Sequence, residues 1–177
     1  MSDSRGKIHF YFGFGKGKTT AAIGLALRAS GYGKKIVIVQ FLKNRQTGEI
    51  MRFSEFDNVK VFRGTATAKF FDDMSEEERS ETAAMQQANF DRALEEVATG
   101  GCDMLILDEV VDAYQMGLID RKRFEDLVKD KPEHLELVIT GHKSENWLIE
   151  QADYVTEMVK LKHPYDEGTA ARKGIEF

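Results

Sequence analysis

Several things are scarce in this sequence, and each scarcity excludes something. Cysteine occurs once, at Cys102, so no internal disulfide can form, and a lone thiol fits a reducing cytoplasm. Only 2 prolines occur, with no Pro- or Ser-rich stretch, so no linker divides the chain. Positive charge is in deficit, with 25 basic against 30 acidic residues, and no basic stripe stands out. Free nucleic acid is therefore not expected as a main partner. Long apolar runs are missing, since the longest are strand-length, so no membrane span is expected. The first residues, Met-Ser-Asp-Ser-Arg-Gly-Lys, carry no apolar signal core. No internal repeat is visible.

What is present is ordinary globular material, 42% hydrophobic and 31% charged over 177 residues. That suits one compact domain spanning 1–177. Residues Lys7 to Phe12 alternate and read as a strand. Gly13 to Lys18 is a glycine-rich turn, and Thr19 to Ser30 reads as a helix stopped by Gly31. Lys35 to Phe41 and Met104 to Leu107 are buried strands by their apolar, β-branched runs. A polar loop covers Lys43 to Glu49, and Val59 to Arg63 reads as a short strand. A further loop, Gly64 to Asp73, carries Phe70 and Phe71.

Ser75 and Glu78 form a capping box that opens a long helix ending near Thr99. Val110 to Met116 looks helical, and Asp120 caps a further helix. Leu135 to Thr140 reads as a strand, Ser144 to Gln151 as a short helix, and Tyr154 to Leu161 as the last strand. Strands alternating with helices predict an α/β fold with a mostly parallel sheet and helices on both faces, a P-loop NTPase of RecA-like architecture. In such sheets ligands bind beyond the carboxyl ends of the strands, where the glycine turn and Asp108-Glu109 both fall.

Gly13-Phe14-Gly15-Lys16-Gly17-Lys18-Thr19-Thr20 reads as a triphosphate cradle. Backbone N–H groups must converge on phosphate oxygens, and glycines clear the approach. The helix that follows adds its partial positive charge. Lys18 supplies an ammonium, and the Thr19 hydroxyl can bind Mg2+. The usual loop has four residues between its first glycine and Gly-Lys-Thr. Here Gly13 and Gly17 enclose one fewer, and Lys16 is an added cation. A dinucleotide fingerprint fails, because its third glycine would fall at Lys18 and no acid ends the second strand at Val39-Gln40-Phe41.

Met104-Leu105-Ile106-Leu107 delivers Asp108 and Glu109 to the same edge, where either can serve a magnesium ion. The alternative for Asp108 is a helix cap. Arg28 suits a surface role as well as a ligand role, His9 reads as structural, and His134, after a turn, reads as solvated. The acidic face of the long helix reads as solvated.

A resemblance supplies the reaction. Gly15 to Gly24, Arg28 to Lys35, Val39 to Lys43, Leu107-Asp108-Glu109 and the tail from Val159 to Phe177 together resemble the P-loop ATP:corrinoid adenosyltransferases. The resemblance implies that cobalt(I) of a reduced corrinoid attacks the 5′-carbon of ATP and that triphosphate leaves. Lys18, Lys16, Mg2+ and the loop N–H groups would neutralise the leaving group. The resemblance also implies a nucleotide bound in reverse direction, an external flavoprotein reductant and a homodimer. It implies apolar side chains beneath the corrin ring that strip the lower axial ligand from cobalt(II) and so ease its reduction, for which Phe70 and Phe71 are placed; ordinary packing of that loop is the alternative.

Two departures from the family pattern stand out. Asp72-Asp73 stand where relatives often carry tryptophan, and Trp147 reads as core. His142 stands where arginine is usual, so any grip on nucleotide or corrinoid there would depend on pH. Two rivals remain open at this point: a small P-loop kinase and a binding module that holds both ligands without turnover.

Overall fold

The structure, a computed structural model, describes residues 5–43, 45–65 and 67–177. Residues 1–4, where no apolar signal core was expected, lie outside the described residues, as do Asn44 and Ala66 of the two predicted loops.

The strands are β1 (Ile8–Phe12), β2 (Ile36–Gln40), β3 (Val59–Arg63), β4 (Met104–Asp108), β5 (Glu136–Gly141) and β6 (Tyr154–Glu157). The helices are α1 (Lys18–Ser30), α2 (Gly48–Phe53), α3 (Glu76–Ala98), α4 (Val110–Gln115), α5 (Arg121–Asp130) and α6 (Asn146–Gln151). The sheet runs β3-β2-β4-β5-β1-β6, and every pairing among the described strands is parallel. The α/β, RecA-like expectation is thus met, without an antiparallel edge.

Alternation along the buried strands sorts the core into two layers. Ile36, Ile38, Met104, Ile106 and Val138 point to one face, where Ala22 and Ala26 of α1 and Phe53 of α2 cover them. Val37, Val39, Leu105, Leu107, Leu137 and Ile139 point to the other, beneath Phe90 of α3, Val110 of α4, Phe124 of α5 and Leu148 of α6. Parallel strands need both faces covered, which is why these runs are apolar at every position.

The local signals hold where they were strong. Ser75 Oγ accepts from the Glu78 N–H at 3.2 Å and Glu78 returns the bond to the Ser75 N–H at 2.8 Å. Asp120 accepts from the Arg123 N–H at 3.1 Å. Trp147 packs on Tyr114 and Phe124 as core. Two elements differ from expectation. Helix α2 begins inside the predicted polar loop, because Phe53 anchors it to the core while Thr47 caps it without a side-chain bond. Strand β6 stops at Glu157 rather than Leu161, because Met158 turns from the sheet to the glycine loop: its N–H donates to Phe12 O at 2.7 Å and its O accepts from the Gly15 N–H at 2.6 Å.

Candidate functional site

The sheet order decides which residues meet. Strand β5 lies between β1, which feeds the glycine loop, and β4, which ends in Asp108. The two halves of the site are therefore joined by side chains reaching across β5. Thr19, on the first turn of α1, donates its hydroxyl to both Asp108 oxygens, at 2.9 and 3.1 Å. Thr140 of β5 donates to Asp108 Oδ1 at 2.8 Å and accepts from the Glu109 N–H at 2.8 Å. Asp108 is fully buried, and these hydroxyls compensate a charge that burial would otherwise make costly. It is not a helix cap. Glu109 holds the position before α4, with φ 62 and no capping bond.

Lys43, just past β2, completes this cluster. Its Nζ lies 2.5 Å from Glu109 Oε1 and 3.8 Å from Asp108 Oδ2. Burial acts to lower the Lys43 pKa, but Asp108 and Glu109 outweigh it and the net shift is upward. Burial pushes Glu109 above the usual carboxylate range, against the pull of Lys43. The preceding residue, Leu42, is held at φ 58, a left-handed conformation rare for a branched side chain. That turn aims Lys43 back over the strand ends.

In the loop, Lys18 curls over its own backbone, donating to Gly13 O at 2.6 Å and Gly15 O at 3.1 Å. Burial lowers its pKa, while Glu109 and Asp112 oppose that shift. The glycines answer to a neighbour as well as to phosphate. A Cβ at Gly13 would sit 2.5 Å from Met158 O, and one at Gly15 would sit 2.6 Å from it. Both contacts are far inside van der Waals distance, so the backbone of residue 158 requires glycine there. Thr20 and Thr19 line a cleft of about 360 Å³ beside the loop, closed by Glu49 and the segment from Gly174 to Phe177. Lys16 extends outward and pairs with Glu176 at 2.9 Å.

A second cleft, of about 580 Å³, opens beside the first. Its apolar lining includes Leu42, Phe70, Phe71, Met74, Met116 and Phe177, and Arg45 and His142 stand at it. Phe70 is exposed, whereas Phe71 packs against the core and lies under the Arg79 guanidinium at 5.5 Å. Both line the cleft, and Phe70 presents more of its ring to it. His142 Nδ1 lies 3.2 Å from Asp112 Oδ1, and its ring is 5.9 Å from that of the exposed Phe14. Asp112 raises the His142 pKa despite burial, so its cation persists further into neutral pH.

Arg28 is not brought to this site. It lies ten residues along α1 from Lys18, about 15 Å away at the helical rise. It lines a different cleft, with Tyr32, Lys34 and His134, at the N-terminal ends of β4 and β5. Its place in the site was inferred from resemblance alone, and the helix direction works against it. Conversely, Lys43 and Thr140 belong to the cluster and were not singled out in the sequence. A lysine directly after a buried strand was visible, but only the sheet order shows which acid it faces.

The donors around Asp108 fit a magnesium ion. Thr19, Asp108 and Glu109 present oxygen only, and the Lys43 ammonium already stands as a cation against both carboxylates. Among the described residues, no group of three or more His, Cys, Asp or Glu is arranged to hold a metal by itself. Such an ion would have to share its coordination with phosphate oxygens.

Comparison with known proteins supplies the family. Residues 4–177 match the family described as ATP:corrinoid adenosyltransferase BtuR/CobO/CobP. A corrinoid adenosyltransferase of Escherichia coli K12 is 34% identical over 175 residues, covering 99% of this chain and 87% of that protein. One from Pseudomonas aeruginosa is 31% identical over 176 residues, covering 99% and 85%. The corrinoid adenosyltransferase CobA of Salmonella typhimurium is 31% identical over 175 residues, covering 99% and 87%.

Proposed function

The chain belongs to the ATP:corrinoid adenosyltransferase family, and on that premise we propose which of its residues carry out the transfer. The enzyme moves the 5′-deoxyadenosyl group of ATP to the cobalt(I) of a reduced corrinoid and releases triphosphate. Cobalt(I) supplies the electron pair for the new cobalt–carbon bond. The carbon–oxygen bond at C5′ breaks, and its pair leaves with the triphosphate. No protein nucleophile is needed, so the protein's task is to hold both substrates and to neutralise the departing charge.

One observation carries the assignment of residues. The polar cleft beside the glycine loop and the apolar cleft beside Phe70 share a wall made of Lys43, Thr47, Glu176 and Phe177. A nucleotide in the first would lie against a large apolar ligand in the second. Gly13 to Thr20 would hold the triphosphate, with Lys18 releasing its loop carbonyls to meet phosphate oxygens. Lys16 stands outside the loop to take further phosphate charge. Thr19, Asp108 and Glu109 would hold Mg2+, which supplies charge neutralisation on the leaving group. Phe70 would lie beneath the corrin ring, and Phe14 and His142 would border it.

Four further parts of the reading go with this. Reduction of cobalt(II) needs an electron from outside, which we assign to a flavoprotein. A second copy of the chain would form a homodimer, a reading supported by the fully exposed edge strand β6. Residues 1–177 would act as one nucleotide-binding domain, supported by the two core layers sharing one sheet. A reducing cytoplasm suits the buried free thiol of Cys102, whose pKa burial pushes up to about 12. Among the described residues, no helix is long and apolar enough to cross a membrane.

The test is an anaerobic assay with Mg-ATP and chemically reduced cobalamin, following the corrinoid spectrum and the phosphate products. A light-sensitive alkylcobalamin spectrum with stoichiometric triphosphate is expected. An unchanged spectrum with ADP in the products would instead establish a kinase.

A further inference from the structure

The segment from Arg172 to Phe177 folds into a tight hook. The Arg172 N–H donates to Glu176 Oε2 at 2.8 Å, and its guanidinium reaches the same carboxylate at 3.0 and 3.2 Å. The Gly174 N–H donates to Phe177 O at 2.6 Å and closes the turn. Two contacts hang this hook over the site. Lys16 donates to Glu176 Oε1 at 2.9 Å, and the Phe177 ring faces the Arg45 guanidinium at 5.8 Å. One carboxylate is therefore clasped between a cation of the glycine loop and a cation of the tail.

The clasp has the chemistry of a phosphate seat. Phosphate and carboxylate oxygens accept the same charge-assisted bonds at the same distances, and a guanidinium meets either with two parallel donors. Arg172 and then Lys16 hold Glu176 well below the usual carboxylate range, so it stays an anion wherever the enzyme would work. Ion pairs this exposed contribute little to folding, so the fold does not depend on the clasp. A triphosphate brings several negative charges to the same two cations, with the loop N–H groups beside them.

We propose that Arg172 is a further triphosphate-binding residue, forming with Lys16 an anion seat that Glu176 and the phosphate end of ATP hold in alternation. The inference rests on the reading of residues 13–20 as the triphosphate cradle. It assigns Glu176 the part of an internal competitor. It also explains the added lysine of the shortened loop, since Lys16 points away from the glycine backbone toward the tail.

The experiment is calorimetric titration of the full chain with inorganic triphosphate and, separately, with adenosine. Glu176→Gln keeps the shape of the hook while removing its charge, and it should bind triphosphate about threefold to tenfold more tightly than wild type. Arg172→Gln should bind it more weakly by about the same factor. Adenosine affinity should change in neither, which a general loosening of the tail would not allow. Unchanged or weakened triphosphate binding in Glu176→Gln would overturn the competitor role. Unchanged binding in Arg172→Gln would overturn the seat. Lys18→Ala distinguishes failure of the cradle from failure of the seat. If it binds triphosphate like wild type, the cradle itself is wrong. If it loses binding while the two tail variants behave as wild type, the cradle stands and the seat falls.

Discussion

The cleft proposed for the nucleotide is built on strand ends and the glycine loop anchored to them, whereas the cleft proposed for the corrinoid is built on loops. Asp108 ends a fully buried strand and is fixed by Thr19 from one neighbour and Thr140 from another. Phe70, by contrast, sits exposed before a single turn of 3-10 helix at Phe71–Asp73, and its cleft is completed by a tail. The difference follows from the ligands. Phosphate and magnesium ask for a few oxygens and N–H groups at fixed distances, which the ends of β1 and β4 and the first turn of α1 hold rigidly. A broad apolar ring asks for area rather than angle, and loops can provide area. Mutations on the first side should therefore act on binding and chemistry together. Those on the second should act selectively on the state of the cobalt.

Lys18→Ala is the hardest test of the rigid side. Loss of a charged donor aimed at the leaving group should lower kcat by about a hundredfold or more. Its present bonds are to its own loop carbonyls, so thermal melting should shift little. A large drop in melting temperature would mean that the lysine holds the loop rather than the phosphates.

Asp108→Asn comes next. Removing the carboxylate that Thr19 and Thr140 share should weaken metal binding to the enzyme–ATP complex by about tenfold to a hundredfold. Titration with Mn2+ followed by electron spin resonance reads this directly, and wild-type affinity would remove Asp108 from the metal site.

On the loop side, Phe70→Ala should slow transfer from cobalt(II) by about tenfold, the worth of one aromatic face lost from contact with the ring. Transfer from chemically pre-reduced cobalt(I), which needs no ligand stripped before reduction, should change by no more than about twofold. Phe71→Ala should differ in kind, costing about 1–3 kcal/mol of stability because that ring packs on the core and under Arg79. If both variants slow both reactions equally, the division between the two sides collapses.

The smallest effect is expected at His142. Asp112 raises its pKa above the ordinary 6.5, so the imidazolium is complete below that value and is lost as pH rises through the shifted one. Corrinoid KM should rise across that window in wild type and stay flat in His142→Asn, with a total change of about twofold to fivefold. The stabilising pair with Asp112 fades over the same window, so the melting temperature of wild type should fall toward that of the variant as pH rises.

Much of the rigid side was legible in the sequence, because it depends on local patterns. A β-branched run ending in Asp108-Glu109 and a glycine turn opening a helix each carry their own signal. What was not legible depends on order in space. Thr140 and Lys43 have no motif of their own; they matter because β5 and β2 flank β4. Helix α2 is short and poorly capped, so only the packing of Phe53 reveals it. The end of β6 was overextended because Val159 and Leu161 look like strand residues, although both are exposed. Arg28 was misplaced for the opposite reason: a family motif gives identity without direction along the helix.

The contact of Met158 with the glycine loop bears on how such a motif is tested by mutation. Alanine at Gly13 or Gly15 would collide with the main chain of residue 158 before any nucleotide arrived. A saturation scan would score those positions as intolerant and credit the intolerance to phosphate binding. Part of that score would instead measure the docking of β6. Because the clash is with backbone, trimming the Met158 side chain would not relieve it; the two contributions would separate only by reading melting temperature and triphosphate affinity side by side in the same glycine variants.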